Sequence, residues 1–232
     1  MNKTILTGSL LLFSAAAGIG AQTPYYYYYG DEKQYLELDT KHIFVSVADE
    51  TSADVFASSE KTVRPFRADI PVEWQSKSGY KRYWTKLTVE EHLSDEAYLE
   101  KLSEIKSRGK DILVSPWFKT QRQESVGMSN FFNVMLKSMN DTVLLRQMSE
   151  REQAVTVYPS DELMPLWFVL SVTERSRGNA MEVANRFHET GLFHYACPDL
   201  MDAIPHAGVR QNHHNFHFAD IVEYNIDYVQ LY

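Results

Sequence analysis

Two segments of this chain follow one pattern, and that repetition restricts the fold more than any other feature. Residues 83–118 begin Tyr-Trp-Thr-Lys-Leu-Thr-Val, pass through a helix-like stretch to Gly109 and continue Ile-Leu-Val-Ser-Pro. Residues 166–200 begin Leu-Trp-Phe-Val-Leu-Ser-Val, pass through a second helix-like stretch to Gly191 and continue to His-Tyr-Ala-Cys-Pro. Trp84, Leu87 and Val89 recur as Trp167, Leu170 and Val172 at a spacing of 83, and Gly109 and Pro116 as Gly191 and Pro198 at a spacing of 82. Two strand–helix–strand units with shared punctuation imply a duplicated α+β module.

The elements around the repeat extend it. Alternation marks strands at 42–47, 83–89, 112–119, 131–136, 155–158, 166–172 and 192–198, with a weaker candidate at 72–74. Helices are expected at 49–60, 93–108, 141–153 and 179–190. The second is capped by Ser94 or Asp95 and carries Leu99, Leu102 and Ile105 on one face. The fourth places Ala180, Val183, Ala184 and Phe187 at i, i+3, i+4 and i+7. Each half then reads β-α-β-β-α-β, the ferredoxin-like order, in which helices cover one sheet face and the other is free for a partner. Pro116 belongs at an edge or strand end, since it cannot donate to a ladder.

The expected organisation is a signal peptide at 1–21, an N-terminal β-hairpin at 22–40, ferredoxin-like modules at 41–123 and 124–201, and a His-rich tail at 202–232. Lys3 precedes the apolar stretch Ile5–Ala17, and small residues allow cleavage near Ala21, so the chain is expected to be secreted, periplasmic or at the cell surface. That stretch is shorter than the roughly 20 residues a membrane span requires. Tyr25–Tyr29 and the turn at Gly30-Asp31 suggest a hairpin with one wet and one dry face, or a surface-binding module built on tyrosines. A net charge of −8 argues against a nucleic-acid partner. The single cysteine, Cys197, forms no internal disulfide and reads as a buried, inert thiol.

Motifs that carry chemistry are scarce. There is no Gly-x-Ser-x-Gly elbow, phosphate loop or dinucleotide fingerprint, so neither an enzyme nor a cofactor is expected. Glu90-Glu91 and Asp161-Glu162 fall in turns. His206, His213, His214 and His217 could hold a metal, but the set lacks cysteine and a His-Glu-x-x-His spacing, so a solvated loop is the expected state.

Residues 165–172 (Pro-Leu-Trp-Phe-Val-Leu-Ser-Val), 179–193 (Asn-Ala-Met-Glu-Val-Ala-Asn-Arg-Phe-His-Glu-Thr-Gly-Leu-Phe) and 196–201 (Ala-Cys-Pro-Asp-Leu-Met) resemble the N-terminal prodomain of secreted bacterial subtilisin-like serine peptidases, closest to the fervidolysin-like type. The tyrosine-rich start is similar as well, and the resemblance spans roughly residues 22–201. It implies a non-catalytic partner that binds, helps fold or inhibits a subtilisin-like peptidase, in cis or in trans. By position it assigns cleft contact to Met201, Asp202, Ala203, Ile204, Pro205 and His206. The chain holds no catalytic Asp, His and Ser motifs of such a peptidase, which leaves open a truncated precursor without activity in trans.

Overall fold

The computed structural model describes residues 24–60, 67–68, 80–89, 92–158 and 164–202. The fold is α+β. In chain order the strands and helices are β1 (Tyr25–Tyr29), β2 (Glu32–Val47), α1 (Glu50–Glu60), β3 (Arg67–Ala68), β4 (Tyr83–Thr88), α2 (Asp95–Ser107), β5 (Leu113–Lys119), β6 (Ser125–Met135), α3 (Thr142–Glu152), β7 (Val155–Tyr158), β8 (Trp167–Ser171), α4 (Ala180–Glu189) and β9 (Tyr195–Asp202). A short 3-10 turn, Met139–Asp141, precedes α3. The candidate strand at 72–74 lies outside the described residues, and β3 is the described strand between α1 and β4.

All nine strands among the described residues join one antiparallel sheet. The first half contributes the order β3-β4-β2-β5 and the second β7-β8-β6-β9, so the two halves have the same connectivity. Their registers also agree. Ile43 faces Pro116 as Phe132 faces Pro198, Trp84 faces Ser46 as Trp167 faces Met135, and Leu38 faces Phe118 as Met128 faces Leu200. Each first strand breaks register at one place, β2 between Leu38 and Ile43 and β6 between Met128 and Phe132. The repeat in sequence is therefore a repeat in space, down to the bulge.

The halves meet through two hairpins. β5 passes into β6 through residues 120–124, where Gln123 adopts φ 62° and its N–H donates to Thr120 O at 2.8 Å. Trp117, Phe118 and Lys119 pair with Gly127, Val126 and Ser125. β1 stands to β2 much as β5 stands to β6: Tyr25 faces Leu36 as Phe118 faces Val126. β2 is one strand from 32 to 47 and runs through the boundary expected at 40/41. Pro116 lies inside β5 opposite Ile43; β6 joins β5 only from Trp117 onward, so the proline occupies a locally edge-like stretch.

The helices cover one face. Phe56 of α1 and Tyr98 and Ile105 of α2 pack with Ile43, Val45, Val47 and Leu87 of the sheet. Val183, Ala184 and Phe187 of α4 pack with Phe132, Val134, Phe168 and Leu170 of the sheet, and this cluster also takes Leu36 and Phe118 from the first half. Asn179 caps α4 through a reciprocal capping box with Glu182, and Gly191 follows it at φ 65°. Gly109, its counterpart in the repeat, has no positive φ; it lies against Ile112 instead.

The opposite face is not open, in contrast to the expectation of a free partner surface. Phe44, Trp84, Trp117 and Met201 form one cluster there, and Phe131, Val157, Trp167 and Val169 another. Phe44 is 0% exposed, Phe131 1% and Trp117 2%. The reason is in the strands: residues 126–134 and 167–171 are buried at every position, the pattern of strands covered on both faces.

Candidate functional site

Two buried polar clusters link the halves. The bulge in β2 turns Asp39 inward, with 3% of the residue exposed. Its carboxylate accepts from Ser125 Oγ at 2.5 Å, from the Lys41 N–H at 3.1 Å and pairs with His42 Nδ1 at 3.2 Å. Burial alone would push the Asp39 carboxyl up, but these three donors outweigh it and hold the group below the ordinary carboxylate value. Burial pushes His42 below the ordinary imidazole value; its bond to Asp39 opposes this, and Lys86 and Lys41 add to it.

Asp, His and Ser thus come together, but not as a nucleophile-activating relay. Ser125 donates to Asp39, not to His42, so the imidazole cannot take its proton. Chemically the trio is a clamp that ties the bulge of β2 to the start of β6. The bulge also leaves two backbone groups outside the strand ladder. Tyr98, reaching up from α2, supplies both: its hydroxyl donates to His42 O at 2.6 Å and accepts from Trp117 N at 2.9 Å. Burial raises the Tyr98 phenol well above its ordinary value.

Trp117 lies across the strand join. Its six-membered ring covers Gly127 so closely that a Cβ there would fall 2.5–2.7 Å from three ring carbons. His42 and the Lys86 ammonium approach the indole at 5.6 and 5.2 Å, and its Nε1 has no hydrogen-bond partner. The second half carries a related carboxylate–serine pair at its own bulge, Ser129 Oγ donating to Asp199 at 2.8 Å.

A second junction centres on Arg82, only 6% exposed. Its guanidinium donates to Ser46 Oγ (3.0 Å), Ser46 O (2.9 Å), Asp111 O (2.7 Å) and, across the seam, Glu174 Oε1 (2.8 Å). Tyr80 OH and Ser171 Oγ, 2.7 Å apart, and Asn130, which donates to Ser171 at 2.9 Å, continue the polar link beside it. Arg82 and Tyr98 carry no motif in the sequence, because their partners lie 19 or more residues away, and Asp39 reaches Ser125 across 86 residues although its Lys41 and His42 contacts are local.

Of the residues assigned to cleft contact, Met201 is buried against Phe44, Trp84 and Trp117. Asp202 ends β9 opposite Val126. Ala203, Ile204, Pro205 and His206 lie outside the described residues, as do the histidines of the tail and the acidic pairs 90–91 and 161–162. Among the described residues no three His, Cys, Asp or Glu side chains are placed to hold a metal ion. Cys197 is fully buried, and burial pushes its thiol up to about 12.

The tyrosine run alternates as a strand with two faces. Tyr25 and Tyr27 turn toward the core beneath α4, while Tyr26 and Tyr28 donate to Glu189 Oε1 at 2.9 and 3.2 Å. Lys33 covers the Tyr26 ring at 3.9 Å and His188 stacks on Tyr28 at 3.9 Å. Two ring faces that an adhesive platform would present are therefore occupied from within the chain. Among the described residues no helix is long and apolar enough to cross a membrane. No family model, curated protein or solved structure matches this chain.

Proposed function

We propose that this chain is a pair of fused ferredoxin-like modules acting as a non-catalytic, prodomain-like partner of a subtilisin-like serine peptidase outside the cytoplasm. The observation that carries the reading is the second half itself. The residues that resemble the prodomain, 165–172, 179–193 and 196–201, fall in β8, α4 and β9, whose sheet order β9-β6-β8-β7 is the one a ferredoxin-like module would have. The polar clusters support a binding role over a catalytic one, because their hydroxyls and carboxylates are consumed in tying the halves together.

The geometry alters how such a partner would engage. Its helix-free face is buried, so contact falls to the end of β9 and the residues beyond it. Asp202, Ala203, Ile204, Pro205 and His206 are the candidates, with Met201 acting as an anchor in the body of the protein. An extended segment there would meet a protease cleft through backbone hydrogen bonds. The test is inhibition and complex formation between the purified chain and the subtilisin-like peptidase encoded nearest to it. Slowed peptide hydrolysis that is lost when residues 203–206 are replaced by Gly and Ser supports the reading. Unchanged hydrolysis, with no complex on a sizing column at micromolar concentration, refutes it.

A further inference from the structure

We propose that the β1–β2 hairpin, residues 24–36, is a strap that opens and closes as a unit on the second half, latched at its tip by Glu189 and His188 of α4. Its position is peripheral. Among the described residues β1 pairs only with β2, whereas β6 is paired along both flanks by β5, β8 and β9. Within β2, pairing passes from β1 to β5 between Leu36 and Glu37, which supplies the hinge.

The contacts that hold the strap differ from those of the body. Glu189 Oε1 receives both the Tyr26 and Tyr28 hydroxyls, and Asn185 Nδ2 donates to Tyr26 O at 2.7 Å, closing the outer edge of β1. His188 stacks on Tyr28, with its Nε2 3.8 Å from Asp31 at the turn. Both tyrosine–glutamate bonds are exposed, so water competes for them, while the apolar attachment rests on three side chains: Leu36 is buried, Tyr25 packs on Phe118 at 5.3 Å between ring centres, and Tyr27 is partly buried against the core beneath α4. Segments with few buried contacts and exposed polar ties open at lower free energy than the global transition. Opening would uncover the flank of α4 and the neighbouring part of β9.

Protonation acts on the latch in one direction. The groups facing His188 are Tyr28 and Asp31 from the strap and Glu189 from its own helix. Burial pushes His188 below the ordinary imidazole value, against the pull of Asp31 and Glu189. The closed strap stacks Tyr28 on the ring and adds to that burial, so it favours the neutral form although its own Asp31 pulls the other way. Its contribution is complete above the ordinary histidine value and is lost as the pH falls through the lowered one.

Amide exchange on the full chain, read residue by residue and corrected for the intrinsic rate, tests this. At about pH 7.5, amides of Tyr25–Tyr29 should exchange at least ~100-fold faster than those of Phe131–Val134, as expected for sub-global opening. Glu189→Ala should speed the strap by about tenfold by removing an acceptor shared by two hydroxyls, with no change in β6. Lowering the pH to about 5.5, through the ordinary histidine range, should further favour the open strap. His188→Phe, which keeps a ring on Tyr28, should abolish that response. Equal protection of β1 and β6, or equal acceleration of both by Glu189→Ala, overturns the strap. A pH response that persists in His188→Phe overturns the assigned latch.

Discussion

Replacing Gly127 with alanine would place a methyl carbon 2.5–2.7 Å from three carbons of the Trp117 ring, well inside contact distance. The ring cannot easily retreat. It is 2% exposed, and Phe44, Trp84, Met201, His42 and Lys86 surround it. Gly127 cannot yield either, because it pairs with Trp117 on one side and Met201 on the other. Overpacking of this kind costs about 1–3 kcal/mol, and the hemmed ring places Gly127→Ala toward the upper end. The cause is one specific contact, so a double-mutant cycle isolates it. In a Trp117→Leu background, itself destabilised by lost volume, the same alanine should be nearly neutral, giving a coupling of about 2–3 kcal/mol. Urea unfolding followed by far-UV circular dichroism is the suitable assay, since tryptophan fluorescence changes with the variant. A Gly127→Ala cost below about 0.5 kcal/mol, or the same cost in both backgrounds, would refute the packing described for the strand join.

Arg82→Met should destabilise the chain by about 3 kcal/mol, because it removes the guanidinium's bonds to Ser46 and Asp111 and the charge facing Glu174. Glu174→Gln, at a partly exposed partner, should cost under about 1 kcal/mol, and the same urea titration distinguishes the two. Tyr98→Phe leaves His42 O and Trp117 N unpaired at the bulge and should cost about 1–3 kcal/mol in thermal or urea unfolding, although the ring is unchanged. Asp39 has a lowered folded-state pKa, so its contribution is complete above the ordinary aspartate value and disappears as pH falls through the lowered one. Asp39→Asn should therefore flatten the acid limb of a stability–pH profile below about pH 4; an unchanged limb would count against the Ser125–Lys41–His42 clamp.

The parts of this fold that were legible in the sequence are those governed by local periodicity. α4 is the best case: Ala180, Val183, Ala184 and Phe187 recur at helical spacing, Asn179 and Glu182 form the capping box, and all four apolar residues are fully buried. α2 was legible in extent but less so in orientation. Leu99 and Leu102 lie at the margin of its cluster, while Tyr98, whose hydroxyl marks it as amphipathic, is wholly buried because the β2 bulge needs that hydroxyl. The bulges left no signal of their own, since Asp39 finds Ser125 only after 86 residues of chain have folded. The burial of both sheet faces was written in runs such as Phe131-Phe132 and Trp167-Phe168-Val169-Leu170. An alternating template reads such runs as a single wet and a single dry face. The docking of the tyrosine strand depends on Tyr26 meeting Glu189, 163 residues away, which no local rule anticipates.

The core beneath α4 is completed by Leu36 and Phe118, both from the other half of the chain. A unit of this design standing by itself would expose the apolar seat those residues fill, and the surface most suited to fill it is the hairpin of an identical unit. The short link at 120–124 thus does the work of a high local concentration, replacing an encounter between two molecules by one within a single chain. It also removes the freedom of the halves to change separately. A substitution at the seam of one half alters the packing of the other, so surface positions away from the seam are where the two copies can diverge at little cost.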